Sequence, residues 1–258
     1  MSAATPQFSV KLAQTEAELR AAQALRYAVF VQELGGDGAM VDHAAGLERD
    51  RFDPFCYHLI LRDEAQGGAV VGAYRLLRAE GALRAGQYYS EDEYDLEPLR
   101  RSGRQLLELG RSCVAPGYRG GAAVHHLWQA LAGYVEEHKI DILFGVASFH
   151  GTDPAPLAAP LSLLHHRHRA PEPLRVTARQ PGFQRMDLIA PDQLDRRAAM
   201  LQVPALIKAY LRLGGGVGEG AFVDRAFNTT DICLVMDTAA LNARTRAIYS
   251  GSRARARR

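Results

Sequence analysis

Several features that would announce a specialised class of protein are scarce or missing in this sequence. Cysteine is rare: Cys56, Cys113 and Cys233 are odd in number, far apart and in no metal-ligand spacing. That argues against a disulfide framework or a structural zinc, and it predicts reduced, buried thiols. No apolar run approaches the ~18 to 20 residues of a membrane span. The N-terminus MSAATPQFSVKLAQTEAELR has no basic start leading into an apolar stretch, so a cytoplasmic rather than a secreted protein is expected. Internal repeats and long polar linkers are absent, which excludes a solenoid and extended disorder. Charge of one sign is lacking too. The 31 basic and 29 acidic residues leave +2, and Arg253, Arg255, Arg257 and Arg258 of the terminal RARARR account for more than that excess. Residues 251–258 therefore read as a basic tail on a nearly neutral body, either solvated or docking loosely on anionic lipid, an acidic protein or nucleic acid, among which Coulomb attraction alone does not choose. No nucleic-acid partner is expected.

What is present is a globular chain: 258 residues, 47% hydrophobic and 23% charged, enough for one large core or two small ones. FSVKLA alternates with period two and predicts a strand. Thr15, followed by Glu16 and Glu18, is an N-cap signal for a helix whose apolar positions include Leu19, Ala22, Leu25, Val29 and Phe30, stopped by Gly35 and Gly36. Residues 37–54 read as a loop. CYHLILRD and GGAVVGAYRLLRA predict a hairpin turning at Gln66, Gly67 and Gly68. The stretch QLLELGRSCVAPGYRGGAAVHHLWQALAGYVEEHKIDILFGVASF predicts a strand, a Pro/Gly turn, a helix near 120–138 and a second, parallel strand. Residues 151–198 mix short helices with extended pieces. VPALIKAYLRLGGG reads as an amphipathic helix, core-facing or membrane-facing, and DICLVMD as a buried strand.

A strand, a glycine-rich turn and a helix N-terminus in that order make an anion site, because first-turn amides lack internal partners and the helix dipole adds partial positive charge. The turn APGYRGGA also resembles the acyl-CoA-binding segment of the GNAT acyltransferase fold. Counted from Arg119, however, the positions where that family keeps glycines hold Ala122 and Val124. Arg26, Phe30, Asp50, Asp53, Arg75, Glu108 and Arg111 together resemble the N-terminal halves of acyl-homoserine-lactone synthases. LRYAVFVQELG, DRFDPFCYHLIL, VGAYRLL, GQYYSEDEYDL, LELGRSCVAPGYR, FGVASFHGTDP and PALIKAYLRLGGGVGEGAFVDRAFNTTDICLV resemble bacterial L-ornithine N-alpha-acyltransferases over nearly the whole chain.

The resemblance implies an α/β GNAT-like fold with a mixed central sheet, splayed central strands and flanking helices. It implies one domain over 1–250, with a catalytic core in 1–150 and the acceptor and acyl-chain side in 151–250. It implies transfer of a 3-hydroxyacyl chain from acyl carrier protein to the α-amine of L-ornithine, giving an amphiphilic product and hence a cytoplasmic protein peripheral to the inner membrane face. No cofactor is bound permanently; the phosphopantetheine of the carrier is the donor arm, and with a single phosphodiester it has no pyrophosphate for the altered loop to wrap. Other acceptors, as in lactone or other N-acyl amino acid synthases, and a non-catalytic carrier-binding protein are the alternatives.

Aminolysis of a thioester needs a neutral amine, a place for the developing oxyanion and a proton for the thiolate. Glu108 is the candidate base, or else an ion-pair partner of Arg111 or Arg75 that shapes the site. Gly110 marks an expected bulge that would aim an amide near Cys113 or Val114 at the oxyanion. Ser148 is the candidate donor to sulfur. Arg26, Phe30, Asp50, Asp53, Arg75 and Arg111 are expected at the substrate, unless the acidic and basic members only pair with one another. Val114, Arg119 and Gly120 are expected to meet the pantetheine arm. His165, His166 and His168 read as a basic surface rather than a metal site, and none is expected.

Overall fold

A computed structural model describes residues 5–119 and 121–240. In chain order the elements are β1 (Phe8–Leu12), α1 (Glu16–Arg26) running into a π-helical turn (Tyr27–Glu33), a 3₁₀ turn (Asp53–Phe55), β2 (Tyr57–Asp63), β3 (Ala69–Arg78) and α2 (Ala79–Ala85). A further 3₁₀ turn (Tyr89–Asp92) precedes β4 (Tyr94–Asp95), α3 (Glu97–Arg101), β5 (Leu106–Val114), α4 (Ala122–Glu137), β6 (Ile142–His150) and α5 (Pro154–Arg167). The described residues continue with β7 (Thr177–Ala178), β8 (Phe183–Gln184), α6 (Arg196–Gln202), α7 (Ala205–Arg212), β9 (Gly216–Val217), β10 (Ala221–Asp224) and β11 (Thr229–Asp237). The described residues form two compact units, one of residues 5–85 and Leu109–Lys139, the other of Gly86–Glu108 and residues 140–240, so the chain passes from one to the other inside β5.

In the first unit β1, β2 and β3 are antiparallel neighbours, and β5 follows β3. The hairpin between β2 and β3 turns at Gly67 and Gly68, both with positive φ, which only glycine adopts without cost. Thr15 caps α1, its side chain accepting from the Glu18 amide at 3.2 Å. The apolar stripe of α1 and its π-helical continuation then buries Ala22, Leu25 and Val29 against Ile60, Ala73 and Cys113, with Phe30 packed at the edge. Adjacent strand residues face opposite ways, so Gly72 points away from this cluster. A Cβ there would stand 3.0 Å from Leu127 of α4. The two helices thus cover opposite faces, and Gly72 lets α4 approach.

In the second unit the parallel ladder of β5 with β6 runs from Leu106↔Ile142 to Glu108↔Phe144 and stops there, although both strands continue. That is the parting expected of the central strands. β11 pairs with all of β6 in antiparallel register, and β10 and β8 follow it. The run DICLVMD is buried in β11 as its continuous apolar pattern predicts. The ill-defined stretch 151–198 contains α5, whose N-cap Asp153 accepts from the Ala155 amide and whose Leu161, Leu163 and Leu164 are buried. In α7, Ile207 and Tyr210 face the interior, which settles that helix's apolar stripe as core. No helix among the described residues is long and apolar enough to cross a membrane. The basic tail and Gly120 lie outside the described residues.

Candidate active site

In the first unit three arginines and three carboxylates lock into one network. Arg26, at the end of α1 and 1% exposed, donates through Nε to Glu48 and through Nη1 to Asp53 at 2.8 Å. Arg75 of β3 donates Nη1 to Asp50 at 2.6 Å and to Asp53 at 2.9 Å. Arg111 of β5 reaches Glu48 and Asp50, each at 3.1 Å. Gln23 donates to the second oxygen of Asp53 at 2.9 Å. Such pairs hold when each charge lost from water is met by an opposite one at hydrogen-bond distance. Burial pushes the carboxyls of Glu48, Asp50 and Asp53 up, but the arginine charges outweigh it and hold all three below the ordinary range. Burial likewise strips proton affinity from His58, whose Nε2 lies 3.1 Å from the Asp53 carbonyl.

Of the residues expected at the substrate, Arg26, Asp53 and Arg75 are thus nearly inaccessible and engaged with one another, while Asp50 and Arg111 keep some exposure at the rim. The pairing reading describes the inner three, because a ligand would have to break two buried ion pairs to reach them. Glu48 was missed, though ERD places it one turn-like step before Asp50. Arg111 has φ +50, so the departure from regular strand falls on it rather than on Gly110; a non-glycine residue there costs about 1 kcal/mol or more. Its side chain is held by Glu48 and Asp50, which explains why an arginine tolerates the position.

In the second unit Glu108, 3% exposed on β5, receives three hydrogen bonds from the Tyr89–Asp92 turn. The Tyr89 amide donates to Oε2 at 2.8 Å, and the Ser90 amide donates to Oε1 at 2.6 Å with the Ser90 hydroxyl beside it. Nothing in the periodicity of YYSED pointed to this contact. Ser148 is exposed on β6, four residues beyond Phe144, the register partner of Glu108. At strand rise that is roughly 13 Å further along β6, so the two are not register neighbours. Glu93, Asp224 and Asp231 also bring carboxylate oxygens within 4.8 Å of one another, a grouping distant in sequence and invisible in it.

At the turn before α4, Arg119 donates Nε to the Val114 carbonyl at 2.9 Å and clamps Glu33 through both terminal nitrogens at 2.6 Å. The guanidinium is half-exposed, so one face remains open to solvent. Cys113 is buried and its thiol is pushed up to about 12 by desolvation, the state of an inert structural thiol.

A family model described as an acetyltransferase (GNAT) domain matches residues 25–129, which span the arginine–carboxylate network, Glu108 and the Arg119 turn. An L-ornithine N(alpha)-acyltransferase of Rhodobacter capsulatus is 60% identical over 97% of both chains, and one of Brucella abortus is 42% identical over 93% of this chain and 88% of its own. The chain belongs to the L-ornithine N(alpha)-acyltransferase family. Among solved structures the AHL synthase LasI matches with a TM-score of 0.51 and 17% identity over 96% of each chain. FeeM, an N-acyl amino acid synthase from uncultured soil microbes, matches with 0.53 and 14% over 94% of this chain and 98% of its own. At those identities they establish the shared GNAT-type fold, a mixed sheet flanked by helices. Family membership makes the protein an acyltransferase.

Proposed function

We propose that the protein transfers a 3-hydroxyacyl chain from the phosphopantetheine of acyl carrier protein to the α-amine of L-ornithine. The observation that supports ornithine as acceptor is the 60% identity, over 97% of both chains, with the Rhodobacter capsulatus L-ornithine N(alpha)-acyltransferase; the carrier-bound donor is argued from Ala122 and Val124 in the turn before α4, and the chemistry of the site is compatible with both. The α-amine attacks the thioester carbonyl, an amide C–N bond forms, the C–S bond breaks, and the ammonium proton goes to a base while the thiolate takes a proton from solvent. Glu108 is the base. The Ser90 hydroxyl and two backbone amides compete for its oxygens and fix their orientation. Asp50 and Arg111 at the network's rim contact the acceptor; Arg26, Asp53 and Arg75 hold them in place, and Phe30 packs the helix that presents Arg26. Val114, with its carbonyl held by Arg119, borders the pantetheine path, and the open face of Arg119 meets the carrier's phosphate.

The product pairs a polar head with a long acyl chain and does not leave readily into water, so the enzyme works at the inner surface of a membrane. Purified protein incubated with 3-hydroxyacyl carrier protein and each amino acid, with products weighed by mass spectrometry, tests the reading: ornithine alone should be acylated well. Acyl-CoA should be a poor donor at equal chain length, because Ala122 and Val124 replace the glycines of a pyrophosphate loop. Equal use of both donors, or preference for another amino acid, would overturn the donor or the acceptor assignment respectively.

A further inference from the structure

We propose that the corner formed by α6 and α7 is the surface on which the protein rests against anionic lipid. The proposal rests on the reading that the product is a membrane amphiphile. Leu201 is 74% exposed near the end of α6. The buried residue of that helix is Ala199, and Leu201 lies about 200° further round the axis, so it points straight away from the packed face. Arg197, four residues earlier, shares its side of the helix. In α7, Ile207 and Tyr210 go inward, which leaves Lys208 and Arg212, also four apart, on one outward stripe. The Lys208 ammonium donates to the Leu201 carbonyl at 3.1 Å, and this bond sets the α7 stripe beside the leucine. Asp195 caps α6, its carboxylate accepting from the Arg197 and Ala198 amides.

A protruding leucine with Arg197 on its own side of α6 and Lys208 bonded to its carbonyl, Arg212 following on the same stripe of α7, fits a bilayer of anionic lipid: the cations meet headgroup phosphates and the leucine enters the acyl boundary. Charge complementarity favours this occupant over a second copy of the chain, which would set the same cations against themselves. Leu83, the other strongly exposed leucine, stands on α2 with Glu80 three residues before it and Arg84 beside it, so its own helix gives it charges of both signs.

Co-sedimentation of the full chain with vesicles of equimolar phosphatidylglycerol and phosphatidylcholine, and with phosphatidylcholine alone, tests the surface. Leu201→Asp and the double change Arg197→Glu with Lys208→Glu should each lower binding to the anionic vesicles about tenfold or more, given the weight of one inserted leucine and two cations. Leu83→Asp should not. All three variants should keep ornithine acylation in detergent-free solution with a soluble, short-chain acyl carrier protein. Undiminished vesicle binding by the Leu201 and Arg197/Lys208 variants would overturn the proposal, as would binding lost only on removal of residues 253–258, or a self-association that Leu201→Asp abolishes while vesicle binding stays. Failure to acylate ornithine by the parent protein would instead strike the functional reading, and the vesicle data would stand apart from it.

Discussion

At the scale of single residues, Glu108 carries the sharpest question. Its carboxylate is oriented by Ser90 through both amide and hydroxyl, so the two residues are tested together. Glu108→Gln removes proton acceptance and turns an NH₂ toward backbone donors; turnover should fall by about 10² or more. Ser90→Ala withdraws one donor and leaves the carboxylate. Loss of that donor should loosen the carboxylate's orientation and lower kcat about tenfold, with KM little changed and much of the turnover surviving. Ser90→Thr, which keeps the hydroxyl, should restore kcat. Full turnover in Glu108→Gln would mark Glu108 as an anchor for the Tyr89–Asp92 turn instead of a base.

At the scale of elements, the buried network depends on how α2 seats the Asp53–Phe55 turn. Gly81 of α2 lies where a Cβ would stand 2.4 Å from the Phe55 carbonyl oxygen and 2.8 Å from a Leu77 methyl. The carbonyl belongs to backbone and cannot swing aside. Gly81→Ala should therefore cost about 1 to 3 kcal/mol as an overpacking change, despite alanine's better helix propensity. Because Asp53 begins that turn and accepts from Arg26, Arg75 and Gln23, the shift should also reduce turnover. Urea unfolding and kcat/KM read the two effects. A stabilised, fully active Gly81→Ala protein would show that the turn floats free of the network.

At the scale of the whole molecule, acid stability follows from the network's proton affinities. Glu48, Asp50 and Asp53 hold protons more weakly folded than unfolded. Their contribution is complete above about pH 4, near the ordinary carboxylate values, and is lost as pH falls from there toward the folded ones. His58 is lowered as well, so its contribution starts to fall below about pH 6.5. Cys113, raised to about 12, acts on the other side, and its share fades as pH rises beyond the ordinary thiol range. Urea midpoints followed downward should show a shallow decline first and a steep one below about pH 4. A midpoint that stays level to about pH 3 would mean that the network adds nothing to stability.

Sequence by itself determined the elements whose signals are local. The Thr15 cap, the apolar stripe through Val29, the Gly67–Gly68 hairpin and the strand–helix–strand run around α4 all depend on residues within a few positions of one another, where backbone preference and periodicity act. It also brought out Arg26, Asp50, Asp53, Arg75 and Arg111 as a set. Only the tertiary structure decided that the set closes on itself, with Glu48 completing the charge balance, because ion pairing depends on distances between α1, the loop, β3 and β5. The same holds for Glu108 and Ser90, eighteen residues apart. A side chain's type shows what it can donate or accept; burial and register decide what it meets.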